Sequence, residues 1–339
     1  MKFLPGSRKV ADLAGPDGSR ARVRNSVVLA FLLLCLLAVI SLFVGANALT
    51  ISALMNDPQA LQVLIISRIP RTAAVLLTGA ALAVAGVIMQ LLVRNKFVEP
   101  GTTGTNEAAM LGMLAATLLA PSMPVFGKML VASVSALAGT AVFMLLARRI
   151  PPERPLLIPL AGLVYGGLLL ACATFIAIQT DLLQYLGVWM SGEFSGILAG
   201  RYELLWLAGG LALLAYFAAD QFTIAGLGRT VSMNLGLRYG QVLAFGIVTV
   251  SLVSALVVVT VGMLPFLGLV VPNLVSRIMG DNLRESLPVV AALGAGLLLI
   301  CDILGRVLRF PYEIPAGTIF GIFGATVFLY LLLGRRSHA

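Results

Sequence analysis

Histidine is almost missing from this chain of 339 residues, the single one being His338 beside the C-terminus. A histidine-based metal site or proton relay therefore has no raw material here. Cysteine is nearly as scarce: Cys35, Cys172 and Cys301 each lie inside an apolar run. That placement excludes a disulfide framework or a cysteine metal site and leaves three small core residues. Charge is the third shortage, with 11% charged against 60% hydrophobic residues and a mean hydropathy of +1.03. No water-soluble domain has such a composition, so the chain is read as an integral membrane protein. Two kinds of catalytic motif are also missing. No GxxxxGK[ST] phosphate loop occurs, and the nearest pair, Gly127-Lys128, is followed by Met, so ATP hydrolysis would have to come from another subunit. No GxSxG or HExxH occurs either, which removes the motif support for an intramembrane hydrolase.

What the chain does have is apolar length. Runs bounded by charged or turn residues fall near 27–47, 72–93, 103–121, 125–147, 156–178, 204–219, 240–261, 264–279, 287–305 and 315–334, each long enough or nearly so to cross a bilayer as a helix. The fold class expected is all-α, a polytopic membrane protein of about ten transmembrane helices. Residues 1–25 are read as a polar cytoplasmic tail and 26–339 as one ten-helix domain. The first apolar run is read as a retained span and not as a cleaved signal peptide. Threading ten spans from a cytoplasmic N-terminus returns the C-terminus to the cytoplasm. It also places 17 of the 23 Lys and Arg residues on that side, as the positive-inside rule requires.

The exceptions are informative. Arg68, Arg71, Arg306 and Arg309 cluster at two places on the opposite face. Ile69-Pro70 and Ile314-Pro315 each open an outward-to-inward run and read as helix starts, since proline costs no hydrogen bond at a first helical position. Small residues recur inside the spans, as in "TGAALAVAG" and "AALGAG", and imply close-packed backbones. After the second span, "RNKFVEPGTTGTNEAAMLG" breaks helix at Asn95, Pro100, Gly101 and Gly104, with Thr103, Thr105 and Asn106 as candidate caps of the third span. Glu99 and Glu107 are acids near membrane depth. The plain reading is a solvated Glu99 and a Glu107 favoured by the helix dipole; the alternative is a coupling-ion site. "ADQFTIAGLGRTVSMNLGLRYGQV" is too polar to span and long for a connector. It reads as a pair of short cytoplasmic helices, over 220–240, with an exposed Met and Leu face suited to a partner protein.

Four segments in order resemble the permease subunits of type II ATP-binding-cassette importers for iron chelates, haem and cobalamin, the FecCD family. They are "RIPRTAAVLLTGAALAVAGVIMQLLVRNKFVEPGTTG", "LGRTVSMNLG", "VGMLPFLGLVVPNLVSR" and "CDILGRVLRFPYEIPAGTIFGIFGATVFLYLLL". The resemblance implies a cobalamin-permease-like subunit of ten helices. It would pair with a second permease subunit, as homo- or heterodimer, with two cytoplasmic cassette ATPases and with a periplasmic or lipid-anchored substrate-binding protein, in the bacterial cytoplasmic (inner) membrane. ATP and Mg would act through the ATPase, and no cofactor or metal is expected on this chain. The resemblance also implies that Arg68, Arg71 and Arg306, with Arg309 beside them, meet glutamates of the binding protein. In the same way it implies that Gly228, Ser232, Leu235 and Gly236 belong to the segment that seats in the ATPase. Pro70, Asn95, Pro100, Gly104, Pro272, Asn273, Glu313 and Pro315 fall on motif or structural positions.

The sequence departs from the family at two places: its frequent Pro-His is Pro272-Asn273, and the small run after the third-span turn is "TNEAA". This variant looks most like permeases for catecholate or mixed-catecholate ferric siderophores. Haem and cobalamin permeases are the alternatives within the family. From other classes come an ion-coupled secondary transporter using Glu99, Glu107 or Asp302, and a membrane enzyme, for which the chain offers no nucleophile and base pair.

Overall fold

The computed structural model describes residues 16–45, 57–151, 157–280 and 282–333, and among them every regular element is helical. The last residues of the chain and most of the N-terminal tail lie outside this set. The part of the tail that is described, from Pro16 on, already belongs to the first helix.

Helix α1 runs Pro16–Phe43. Helix α2 is a continuous run from Pro58 to Val93, started by Asp57, whose side chain accepts the Gln59 N–H. It is followed by α3 Thr105–Leu119, α4 Val125–Ala147, α5 Leu157–Gln179 and the short α6 Leu183–Ser191. Helices α7 Leu204–Phe217 and α8 Ala219–Gly226 meet at a bend of 67°. Then come α9 Arg229–Asn234, α10 Tyr239–Thr260, α11 Leu267–Met279, α12 Leu283–Val307 and α13 Ala316–Leu333. Each of the ten apolar runs read from the sequence coincides with one of these helices. Six are long and apolar enough to cross a membrane, the bent α7–α8 pair passes the same test together, and Val28–Phe43 and α11 are shorter apolar helices.

Helix α2 is the centre of the bundle. Its most apolar stretch is 78% buried, against 22% for α5 and 28% for α13. It packs on α12, α11, α7 and α10, while α5 and α13 turn most of their apolar surface outward. In lipid such surface carries no penalty, so helix association rests on close packing instead. The small residues of α2 supply it. A Cβ on Gly79 would stand 2.6 Å from Gly294 O on α12, and one on Gly86 would strike Gly268 on α11. At both crossings backbone touches backbone.

Pro70 sits inside the long run and not at its start. A proline has no N–H to give to the carbonyl four residues back, and its ring crowds that carbonyl. The helix answers with a π turn at Leu64–Arg68 immediately before it, the usual form of such a local widening. The freed Ile66 carbonyl accepts the Ala199 N–H at 2.9 Å. The proline therefore converts an internal helix bond into a tertiary one that fastens the 192–203 segment to α2. Pro315, by contrast, directly precedes α13, as a helix start should.

Candidate functional site

Two groups of residues at opposite ends of α2 hold the polar chemistry of the molecule. At 1.5 Å per residue a helix of 36 residues separates its ends by about 54 Å.

At the Pro58 end, Arg71 on α2 reaches α12. Its Nε and Nη2 donate to Asp302 Oδ1 at 3.1 and 2.7 Å, and its Nη1 donates to Glu313 Oε2 at 2.8 Å. Arg306, one helical turn after Asp302, places Nη2 2.7 Å from Asp302 Oδ2. The same arginine donates to the Ser41 and Val44 carbonyls at 2.9 and 2.7 Å and to Ser41 Oγ at 2.7 Å. Arg68 donates to Val44 O at 2.6 Å, and Ser41 Oγ lies 3.0 Å from Thr72 Oγ1. Three arginines and two acids thus tie the end of α1, the start of α2, the end of α12 and the 308–315 loop into one knot. Asp302 and Arg306 are each 1% exposed at the side chain. Charges so far from water persist because Asp302 and Arg306 neutralise each other and are further bonded by Arg71 and by the Ser41 and Val44 carbonyls.

Arg68, Arg71 and Arg306 are 8%, 9% and 3% exposed, so the family-implied surface cluster is largely an interior one. Arg309 alone of the four stands on the surface, its guanidinium 5.8 Å from the Tyr312 ring centroid. Asp302, expected only as a possible coupling acid, is instead an ion-pair centre. Its spacing of four from Arg306 on one helix was the signal for an ion pair. A cavity of about 660 Å³ opens between α6, the end of α10 and the 192–203 segment, with Trp189, Glu193, Arg201 and Glu203 on its walls.

Between the two ends, the 94–104 connection folds inward. Arg94 takes a left-handed conformation with φ 54° and closes α2, and Asn95 Oδ1 accepts the Phe97 N–H at 2.9 Å. Pro100 starts a single 3-10 turn flanked by a capping box of Glu99 and Thr102. The plain expectation of a solvated Glu99 is overturned: it is 3% exposed, and its Oε1 accepts the Phe266 N–H at 2.8 Å. That bond satisfies a donor at the start of α11, which an unwound segment leaves open. The expected caps of α3 are also corrected. Gly104, with φ 74°, is the cap, and no side chain bonds there. Thr103 bonds Pro100 O instead, and a chain of hydroxyls runs from Thr103 through Thr105 and Thr140 to Ser251. Asn273, at the position of the family's histidine, donates to Lys96 O and to Leu269 O, both at 2.7 Å. It pins the 94–104 connection to α11. Pro272 repeats the behaviour of Pro70: the carbonyl it leaves free, Gly268 O, takes Gln90 Nε2 at 3.4 Å.

At the Val93 end lie α8 and α9, the pair of short helices expected over 220–240. Gly228, with φ 102°, breaks the chain between them, and Ser232 is fully buried with its hydroxyl bonded to Ile224 O and Gly228 O at 2.8 and 2.7 Å. Gly236 closes the unit with φ 80°, a conformation costly for any residue with a Cβ. Leu227, Val231, Met233 and Leu235 are 44–62% exposed. A row of exposed apolar side chains on and beside α9 is a docking surface in form.

Comparison with known proteins agrees with this geometry. The model of the FecCD transport family matches residues 32–334. The petrobactin import system permease protein YclN of Bacillus subtilis is 47% identical over 310 residues, covering 91% of this chain and 98% of that one. The ferric-anguibactin transport system permease protein FatD of Vibrio anguillarum is 41% identical over 313 residues, covering 92% and 99%. The vitamin B12 import system permease protein BtuC of Klebsiella pneumoniae is 34% identical over 280 residues, covering 80% and 82%. Among solved structures, a metal-chelate-type ABC transporter in an inward-facing conformation superposes with a TM-score of 0.78 at 23% identity, covering 91% of this chain and 98% of that one. A family match across nearly all of the helical bundle leaves one assignment: the chain is a member of the FecCD transport family.

Proposed function

We propose that this chain is the permease subunit of an ATP-binding-cassette importer that carries a ferric siderophore into the cytoplasm. The observation that carries the reading is full-length similarity to siderophore permeases, at 47% and 41% identity, against 34% for the cobalamin permease. The departures at Asn273 and in the "TNEAA" run favour a catecholate or mixed-catecholate cargo. Because the chain has no phosphate loop, energy enters through separate cassette ATPases, and the exposed row on and beside α9 is where they would seat. A second permease subunit completes the pathway in the bacterial inner membrane, with both termini cytoplasmic. The cycle is alternating access by rigid-body movement.

A substrate-binding protein delivers the cargo at the Pro58 end of α2. Arg309 is the arginine positioned for direct contact. Arg68, Arg71 and Arg306 can reach a partner's glutamate only by giving up acceptors they already hold, so in docking they would act by exchange of partners. Two of the three acids of the ion-coupled alternative are already engaged. Asp302 is neutralised by two arginines, and Glu99 holds the start of α11.

The test is uptake of iron-55 siderophore, haem and cobalamin by cells lacking the gene and by cells carrying it back, in the presence and absence of the co-encoded ATPase. Restored uptake of a ferric siderophore alone, dependent on the ATPase and surviving an uncoupler while ATP is maintained, is the expected result. Restoration of cobalamin or haem uptake would reassign the cargo. Uptake that needs no ATPase would sink the importer reading.

A further inference from the structure

The end of α2 is seated on the glycines of the short-helix unit. A Cβ on Gly226 would stand 2.9 Å from Leu91 Cδ2, and one on Gly228 would stand 2.5 Å from Arg94 Nη1. With no side chain at either position, the last turn of α2 and the Arg94 guanidinium lie directly against the break between α8 and α9. From Arg94 the chain enters the 94–104 connection at once, and successive residues of that connection grip further elements. Asn273 on α11 holds the Lys96 carbonyl at 2.7 Å. The Phe97 ring packs edge-on against Phe328 of α13, with centroids 6.1 Å apart, and Phe328 in turn stacks on Phe266 at 6.3 Å. Glu99 closes the circuit, since its carboxylate accepts the N–H of that same Phe266.

Helix α13 is the element this arrangement can displace. Its most apolar stretch is 28% buried, and its principal packing partners are α11 and α12. Against the start of α11 the fit is a notch: Phe266 Cβ lies 2.6 Å from where a Gly324 Cβ would stand, and the Phe266 ring continues onto Phe328 one turn further along α13. A ring seated in a glycine notch cannot shift without carrying the helix that bears the notch, because packed interiors are nearly incompressible. Phe97, Phe266 and Phe328 are all half-buried, so they stand at a junction of elements and not in the packed centre around α2. We propose that the 94–104 connection is a transmission arm: displacement of the short-helix unit passes through Arg94 into the connection, and through Phe97, Phe328 and Phe266 into α13. Phe97 and Phe328 are then positioning residues for import, acting through α13. The inference rests on the reading of α9 as the seat of the ATPase and deepens it, because it names the route by which movement there reaches a membrane helix with most of its surface turned outward. Sliding of one packed element against another in this way is a shear movement.

The experiment uses the purified permease with its copurifying subunits in proteoliposomes, supplied with the binding protein and an iron-55 siderophore, and reads ATP hydrolysed and cargo imported in the same vesicles. Phe97→Ala and Phe328→Ala should each keep the ATPase bound and hydrolysing while import per ATP falls by roughly fivefold or more, the lower end of an energetic coupling between two sites. The double variant should be no worse than the worse single one, because both rings lie on one path and their effects are not additive. Phe97→Tyr, which keeps the ring, should import normally. Phe97→Leu and Phe328→Leu, which keep bulk and lose the ring contact, stand in for any alanine variant that does not fold. An unchanged ratio of import to hydrolysis in the well-folded variants would overturn the arm. So would additive losses in the double variant, which would give the two rings separate roles, or import that falls only in step with hydrolysis and melting temperature, which would make the contacts structural. Absence of ATP-driven import by the unmodified complex would overturn the importer reading and the arm together, whereas an unchanged ratio in variants of an active complex overturns the arm alone.

Discussion

Asp302 is the residue on which the ion-pair knot depends, because two arginines from different helices share its carboxylate. Asp302→Asn keeps the shape and removes the charge, leaving Arg306 buried without its counter-ion. Breaking a buried pair in this way costs about 3–5 kcal/mol, because the surviving charge has no water to turn to. The expected outcome is a large fall in thermal stability of the detergent-solubilised protein. Asp302→Leu combined with Arg306→Met, which removes both charges, should recover part of that loss. A single Asp302→Asn variant with unchanged melting would mean that Glu313 and the backbone carbonyls already suffice. Glu99 illustrates the same physics with a different partner: its buried carboxylate is matched to a backbone N–H, not to a cation.

At the scale of the element, α2 joins the two polar ends through a close-packed core. Its glycines set how near α11 and α12 can come. Gly79→Leu would force side-chain atoms into the α12 backbone, and overpacking of this kind costs about 1–3 kcal/mol. Lower stability in detergent and reduced assembly with partner subunits are expected. Unchanged behaviour would mean that α12 can slide away at no cost. On the short-helix unit, Gly236 has open space around its Cβ position but a φ of 80°. Gly236→Val should therefore distort the connection after α9 through backbone strain and not through collision. We expect insertion and folding to survive while ATP-driven uptake falls. Full uptake together with normal copurification of the ATPase would remove coupling from this segment.

For the whole molecule, the proposed delivery of cargo calls for an encounter between its arginine-rich end and a binding protein. Arg309 is the exposed charge there, and an exposed ion pair is worth only about 0.2–1 kcal/mol. Loss of the charge in Arg309→Ala should be nearly silent, whereas Arg309→Glu adds repulsion. Association of the purified transporter with its binding protein should weaken for Arg309→Glu at low salt. The difference should shrink as the Debye length falls from about 30 Å at 0.01 M to about 8 Å at 0.15 M. Equal association of both forms at low salt would move the docking surface away from Arg309.

The order and apolar character of the longer helices were legible in the sequence alone, because a span in lipid must satisfy its own backbone and advertises itself as an unbroken apolar run, whereas the short α6 between two such runs was not. The short-helix pair was legible for the complementary reason, being too polar to span and punctuated by Gly228 and Gly236. The partners of the polar residues were not legible. Arg71 and Asp302 are 231 residues apart, Glu99 and Phe266 167 apart, and Ile66 finds Ala199 only because Pro70 has no N–H to offer. Composition told which residues lipid would not accept. Which of them would neutralise one another was decided by the packing of α2 against α11 and α12, since a buried charge is stabilised by a few ångströms of geometry that no local pattern encodes.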